Sequence, residues 1–151
     1  QGYRVGILKE EISRILGVDR VWAIALVGMG NLGAALLAYS GFRRQGFEIK
    51  TAFDNDLSKI GKIWQGVKIE DVEKIPQVLA EQEIKMGIIA TPAPAAQKVV
   101  NKLIEGGVKG ILNFAPVRIV VPNGVKLKNV DLSIGLEALS YFLGDKGVAA
   151  D

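Results

Sequence analysis

Val21-Trp22-Ala23-Ile24-Ala25-Leu26-Val27 runs without a break into Gly28-Met29-Gly30-Asn31-Leu32-Gly33, and Ala34 to Tyr39 then opens an apolar helical pattern. Seven consecutive apolar residues suit a parallel strand buried on both faces. The glycine spacing that follows has a mechanical reading. Gly28 permits a tight turn, Gly30 lets the backbone approach a pyrophosphate, and Gly33 lets strand and helix pack closely. Free N–H groups and the dipole at the helix start then face negative charge. A G-x-G-x-x-G alone is a weak signal; between a buried strand and a helix, with an acidic residue ending the next strand, it is a strong one. Glu48 to Phe53 reads as that next strand, and Asp54, 21 residues beyond Gly33, ends it. A carboxylate there accepts hydrogen bonds from the adenosine ribose and repels a 2′-phosphate, which favours NAD(H) over NADP(H). Asp56 takes the role if the strand ends two residues later. The competing interpretation is a glycine-rich turn and an acidic strand cap with no nucleotide.

Further segments extend the alternation. Leu57 to Trp64 reads as a short helix or turn, and Asp71 to Gln82 as a helix with Pro76 in its first turn or kinking it. Gly87 to Ala90 is a strand stopping at Thr91-Pro92-Ala93-Pro94. Ala95 to Ile104 is a helix, and Gly110 to Leu112 a strand closing at Asn113-Phe114-Ala115-Pro116. Arg118 to Val121 and Val125 to Lys128 read as two short strands about an Asn123-Gly124 turn. Asp131, a favourable N-cap, starts a last helix to Leu143. Strands alternating with helices predict an α/β, Rossmann-like, mostly parallel sheet with helices on both faces. Such sheets bind ligands beyond the carboxyl ends of their strands. This adds Thr91, Pro92, Ala93, Asn113, Phe114 and Ala115 to a candidate nucleotide site of Gly28, Met29, Gly30, Asn31, Leu32, Gly33, Asp54 and Asn55. Thr91 and Asn113 are placed to hydrogen-bond ribose or carboxamide, Phe114 to wall off a nicotinamide, and Lys59 and Ile60 to flank the adenine. Ordinary loop chemistry also accounts for the Thr-Pro and Ala-Pro pairs.

Composition limits the chemistry. The 151 residues include no Cys and no His, which removes disulfides, thiol catalysis, His-based acid–base chemistry and nearly every transition-metal site. The three tyrosines, Tyr3, Tyr39 and Tyr141, are not followed by Lys four positions on. With 49% hydrophobic and 23% charged residues the chain falls in the globular range. Its net charge of +3 comes from scattered Lys and Arg rather than a basic cluster. The absence of a long apolar run and of a secretory pattern makes a cytoplasmic domain the expectation. A nucleotide site without a proton donor for hydride transfer points to a sensor rather than a dehydrogenase.

The two ends have separate expectations. Val5 to Leu16 has apolar residues Leu8, Ile12, Ile15 and Leu16 at helical spacing, and the opening Gln1-Gly2-Tyr3, with no Met, implies a removed upstream segment. Eight of the thirteen residues from Asp131 to Leu143 are apolar, including Leu132, Leu136, Leu139 and Phe142. Such a helix is buried on more than one side. Its second contact is another subunit, through an exchanged helix, or the N-terminal helix of the same chain.

Gly28 to Gly33 with Ala34-Ala35-Leu36 and Tyr39-Ser40-Gly41-Phe42, then Phe53-Asp54, Gly110-Ile111-Leu112-Asn113-Phe114-Ala115-Pro116 and Asn129-Val130-Asp131, together resemble the Rex family of redox-sensing transcriptional repressors. The resemblance implies a homodimer that binds operator DNA when NADH is low and releases it when NADH occupies the core. On this resemblance residues 1–19 are the linker helix from an absent winged-helix DNA-binding domain, 20–130 the NAD(H)-binding domain and 131–151 the dimerisation helix, which is exchanged between subunits. DNA contact then belongs to the full-length protein and not to this fragment. Tyr39 and Asp131 match family residues that meet across the dimer in the DNA-competent form. Asn31 stands where some members carry Arg, and Leu132 where some carry an aromatic residue. Two other functions use the same fold: an NAD-dependent oxidoreductase fragment and a CoA-binding Rossmann module.

Overall fold

The computed structural model describes residues 21–145, the side chains of residues 132–135 and 145 excepted. The helix expected over Val5–Leu16, the linker 1–19 and the Leu132 side chain therefore lie outside the described residues.

Side chains along a strand alternate between faces, and in β1 (Trp22–Val27) this alternation divides the core in two. Ala25 and Val27 join a cluster with Phe53, Ile89, Leu79, Val100 and Leu103 on one face. Ile24 and Leu26 join Met29, Ile49, Ala52 and Ile88 on the other. β1 is covered on both sides, which is why its sequence is apolar at every position.

Around it lie β2 (Phe47–Asp54), β3 (Ile63–Trp64), β4 (Val67–Asp71), β5 (Met86–Ile89), β6 (Gly110–Asn113) and β7 (Lys126–Asn129), in the order β3-β4-β2-β1-β5-β6-β7. Every pairing is parallel except β3 with β4. Helices α1 (Asn31–Ala38) and α2 (Gly41–Arg44) follow β1, α3 (Ile75–Gln82) and α4 (Ala93–Glu105) flank β5, and α5 (Leu132–Asp145) follows β7. The expected Rossmann-like sheet is therefore the observed one. Where β1 meets β2 the register shifts by one residue: Ile24 pairs with Ile49 but Ala25 with Thr51. The extra residue, Lys50, is exposed, and the bulge lets Ile49 and Ala52 share a face despite being three positions apart.

Two local expectations are corrected, and of the short helix or turn expected over 57–64 the turn is found. Residues 57–64 are a turn followed by β3, whose two residues pair antiparallel with β4. Asp71 ends β4 rather than starting a helix. Its side chain accepts from the Glu73 N–H at 3.0 Å, capping the 3₁₀ turn Val72–Lys74, and Pro76 lies in the first turn of α3 without kinking it. Residues 118–121 form no strand and Asn123-Gly124 closes no hairpin; β7 runs parallel to β6. The reason is a side chain acting as a strand partner. Gln97 on α4 donates through Nε2 to the Val120 carbonyl (3.0 Å) and accepts through Oε1 from the Val120 N–H (2.9 Å). Both backbone groups of Val120 are thereby satisfied, while Ile119 enters the core.

Candidate functional site

The strand order reverses about β1, with β2 and β4 on one side and β5 to β7 on the other. That reversal opens a crevice at the strand carboxyl ends. The glycine turn occupies it. Gly28 has φ +105°, and a Cβ there would lie 2.5 Å from the Ala90 carbonyl oxygen on the neighbouring strand end. A Cβ at Gly33 would overlap the Gly28 carbonyl oxygen, so turn and helix are in direct backbone contact. Around Gly30 a Cβ would meet nothing within 4 Å. The two tight glycines shape the chain, whereas Gly30 leaves open space at the start of α1. Gly30 is the N-cap of α1 and no side chain caps it.

Met29 is held from three directions. Its side chain is buried in the core (1% exposed). Its N–H donates to Asp54 Oδ2 at 2.7 Å, and its carbonyl accepts from Lys59 Nζ at 2.8 Å. Asp54 Oδ1 accepts from the Asp56 N–H at 2.9 Å. Each carboxylate oxygen keeps a further lone pair for a ribose hydroxyl. Between the two acidic alternatives, Asp54 is the one beside the glycine turn. Asp56 instead organises the turn after β2, accepting at Oδ1 from both the N–H (2.9 Å) and hydroxyl (2.7 Å) of Ser58. Those bonds hold the Asp56 carboxyl below its ordinary value.

A cleft of about 330 Å³ lies beside this turn, lined by Gly28, Asp54, Asn55, Thr91, Pro92 and Lys98 among others. Thr91 Oγ1 is buried there and is the one such side-chain polar atom without a partner among the described residues. A buried hydroxyl left unpaired is costly, and a ligand hydroxyl or phosphate in the cleft would satisfy it. Across the cleft Lys102 pairs with Glu73 at 3.1 Å, an exposed ion pair of small energetic weight. Past the ends of β6 and β7 a second cleft, of about 590 Å³, is lined by Ala115, Pro116, Val117, Arg118, Asn129, Val130 and Asp131. The first cleft spans the ends of β2, β1 and β5, and no residue lines both clefts.

The remaining expected residues are placed as follows. Asn31, Leu32 and Gly33 form the first turn of α1, and Pro92 and Ala93 start α4. Lys59 and Ile60 are half-buried in the turn over Met29, and the Lys59 ammonium is engaged by the glycine turn rather than free to stack on a base. Asn113 differs from the expectation of a direct ligand donor. It is 1% exposed; Nδ2 donates to the Ala115 carbonyl and to Asn129 Oδ1, each at 3.0 Å, and Oδ1 accepts from the Ala115 N–H at 2.9 Å. Its amide is thus spent on shaping the bend at β6, beside which Phe114 is half-buried. Tyr39 is exposed, its ring edge-on to Phe42 at 4.9 Å and resting on Gly41, where a Cβ would overlap it. Leu136, Leu139 and Phe142 are exposed on α5. The residues that sequence reasoning missed are Val72, Glu73, Lys98 and Lys102 of the first cleft. Only the i, i+4 spacing of Lys98 and Lys102 on a predicted helix hinted at a shared face.

Among the described residues no group of His, Cys, Asp or Glu is arranged for a metal ion, and no helix is long and apolar enough to cross a membrane.

A family model described as "CoA binding domain" matches residues 19–117. The redox-sensing transcriptional repressor Rex of Desulfitobacterium hafniense is 47% identical over 145 residues, covering 96% of this chain and 69% of that protein. The crystal structure of RSP, a Rex-family repressor, in complex with NADH superposes with a TM-score of 0.85 at 35% identity, covering 95% of this chain and 70% of that one. The same repressor solved with NAD+ and operator DNA gives a TM-score of 0.86.

Proposed function

This chain belongs to the CoA-binding domain family and to the Rex family of redox-sensing transcriptional repressors, and from that premise we propose that it is an NADH-sensing core which controls operator binding by the full-length repressor. The observation that carries the reading is the Asp54 carboxylate bonded to the Met29 N–H of the glycine turn. That short contact supports the reading because a carboxylate suited to ribose hydroxyls lies beside a helix start suited to phosphate, the two anchors of an adenine dinucleotide.

The adenosine half occupies the cleft of Asp54, Asn55 and Thr91. The pyrophosphate lies over Gly30 at the head of α1, and the nicotinamide half reaches the cleft of Ala115 and Asp131. Residues 20–130 are the nucleotide domain, 1–19 the linker and 131–151 the dimerisation segment. No catalytic residue is assigned, in keeping with relatives that are repressors.

Redox discrimination follows from charge. The oxidised nicotinamide ring is cationic and the reduced ring is neutral. Enclosing the cation in an apolar slot without a partner costs several kcal/mol, so closure against Phe114 and a covering helix favours NADH. A ligand shifts a dimer between arrangements only by binding one of them better. The element that differs between them comprises Tyr39, Asp131 and α5.

The dimer rests on two apolar surfaces. Leu136 (68% exposed), Leu139, Tyr141, Phe142 and Leu143 of α5 are all solvent-exposed in the single chain, although a helix this apolar is one that is normally buried. The sheet also leaves a groove of about 500 Å³ lined by Ile24, Phe42, Phe47, Met86, Ile88 and Leu127, among others. An exchanged α5 and a second copy would bury both.

The test is calorimetric titration with NADH, NAD+ and CoA, with molecular mass followed in parallel. NADH binding tighter than NAD+ by tenfold or more, to a dimer, is expected. Tighter binding of CoA, whose adenosine carries a 3′-phosphate against Asp54, would transfer the site to the CoA-binding alternative. Sustained NADH oxidation with an aldehyde would favour an oxidoreductase.

A further inference from the structure

The turn after β2 reaches back over the glycine loop, and Lys59 is the residue that makes the connection. Asp56 builds that turn: its carbonyl accepts from the N–H groups of Lys59 (2.9 Å) and Ile60 (3.1 Å), while its carboxylate holds Ser58. The Gly61 N–H then bonds the Ile69 carbonyl at 2.8 Å, fastening the turn to β4. So anchored, Lys59 projects its half-buried ammonium onto the Met29 carbonyl at 2.8 Å.

The consequence lies one bond further on. The Met29 carbonyl and the Gly30 N–H belong to the same peptide unit, which is planar and trans. In such a unit the N–H points opposite to the carbonyl. With the carbonyl fixed on Lys59, the Gly30 N–H is directed to the opposite side of the peptide plane, away from Lys59; at the Gly30 Cα itself a Cβ would meet nothing within 4 Å. The preceding peptide is fixed independently, by its N–H on Asp54. A cation on the carbonyl also polarises the amide, making its N–H a stronger donor to an anion.

We propose that Lys59 is a positioning residue of the nucleotide site, holding the Met29–Gly30 peptide so that the Gly30 N–H is aimed at the pyrophosphate. The proposal rests on the dinucleotide reading and adds to it a role distinct from flanking the adenine. It also gives the turn of residues 56–61 a purpose in the site.

The experiment compares the unmodified chain with Lys59→Met and Lys59→Arg. NADH, ADP-ribose and adenosine are titrated, and amide hydrogen exchange is followed at Gly30 and Asn31 without ligand. Loss of a charge-assisted bond of this kind predicts NADH and ADP-ribose affinities down about tenfold or more for Lys59→Met, adenosine within twofold, and slower base-catalysed exchange at Gly30 in the free protein, because an amide no longer polarised by the cation is less acidic. Lys59→Arg should restore affinity to within about threefold, because a guanidinium also donates to a carbonyl. Equal losses for adenosine and NADH would overturn the proposal in favour of an adenine contact. Weaker NADH with unaltered exchange at Gly30 would overturn it in favour of a direct contact between ammonium and phosphate. Unchanged affinity in Lys59→Met, while the unmodified chain binds NADH, would refute the Lys59 role alone. No NADH binding by the unmodified chain would remove the dinucleotide reading and this role with it.

Discussion

Replacing Asp54 by asparagine alters charge with almost no change in shape. The carboxylate receives two backbone N–H groups, Met29 at 2.7 Å and Asp56 at 2.9 Å, one on each oxygen. An amide keeps one acceptor oxygen and turns an NH2 toward the other donor. The amide oxygen keeps the part-buried Met29 N–H, and the NH2 faces the exposed Asp56 N–H, which water can satisfy, so the cost is about 1 kcal/mol. For a chain of this size that lowers Tm by roughly 3 °C. The ligand effect is separate: losing a charged acceptor for the ribose hydroxyls should weaken NADH about ten- to hundredfold. Calorimetry with NADH and with an analogue lacking the adenosine 2′-hydroxyl separates the two contributions as a thermodynamic cycle. In the unmodified chain the missing hydroxyl should cost about tenfold; in Asp54→Asn it should cost less than twofold. An equal penalty in both proteins would show that Asp54 supports the loop without touching ribose. NADH affinity within twofold of the unmodified value would refute the assignment outright.

Gly30→Ala should leave Tm within about 2 °C yet reduce NADH affinity by more than tenfold, since its Cβ enters open space that only a ligand would fill. Gly33→Ala should compromise folding itself, because its Cβ would overlap the Gly28 carbonyl; thermal melts beside titrations distinguish the pair. Leu139→Glu with Phe142→Lys should convert a dimer into a monomer by light scattering, and a monomeric unmodified chain would contradict the proposed use of α5. The Asp56 carboxyl, lowered chiefly by its bond from the Ser58 hydroxyl, contributes stability that is present above its unfolded pKa and is lost as pH falls through the lower folded value. The Ser58 and Lys59 amides should therefore shift in an NMR titration with a midpoint below 3.8, the ordinary value for the carboxyl. Movement well above that pH would count against the bonded Asp56 turn.

Much of the architecture could be read from Val21 to Gly33 and from Asp54. Seven apolar residues in a row require burial on both faces, and three glycines at that spacing leave a strand–turn–helix as the economical geometry; both are local constraints, fixed by sterics within a dozen residues. The apolar stretch from Asp131 likewise announced α5 before any contact was known. Other features depend on partners far away in the chain. β3 is two residues, Ile63 and Trp64, both exposed, and exists because β4 pairs with it. Residues 118–121 have a strand-like pattern but lie against Gln97, whose amide takes the place of a neighbouring strand. Asn113 was legible as a polar residue at a strand end, but its commitment to Asn129 and Ala115 emerged only when β7 closed alongside β6.

The sequence by itself determined the nucleotide-type crevice, because glycine placement and the acidic end of the second strand are properties of short segments. Only the tertiary structure decided that Asp54 rather than Asp56 meets the glycine turn, and that Lys59 holds the Met29 carbonyl across 30 residues of chain. The physical reason is range: backbone sterics act between neighbours in sequence, whereas a hydrogen bond to a chosen carbonyl exists only after the sheet has brought two distant turns together.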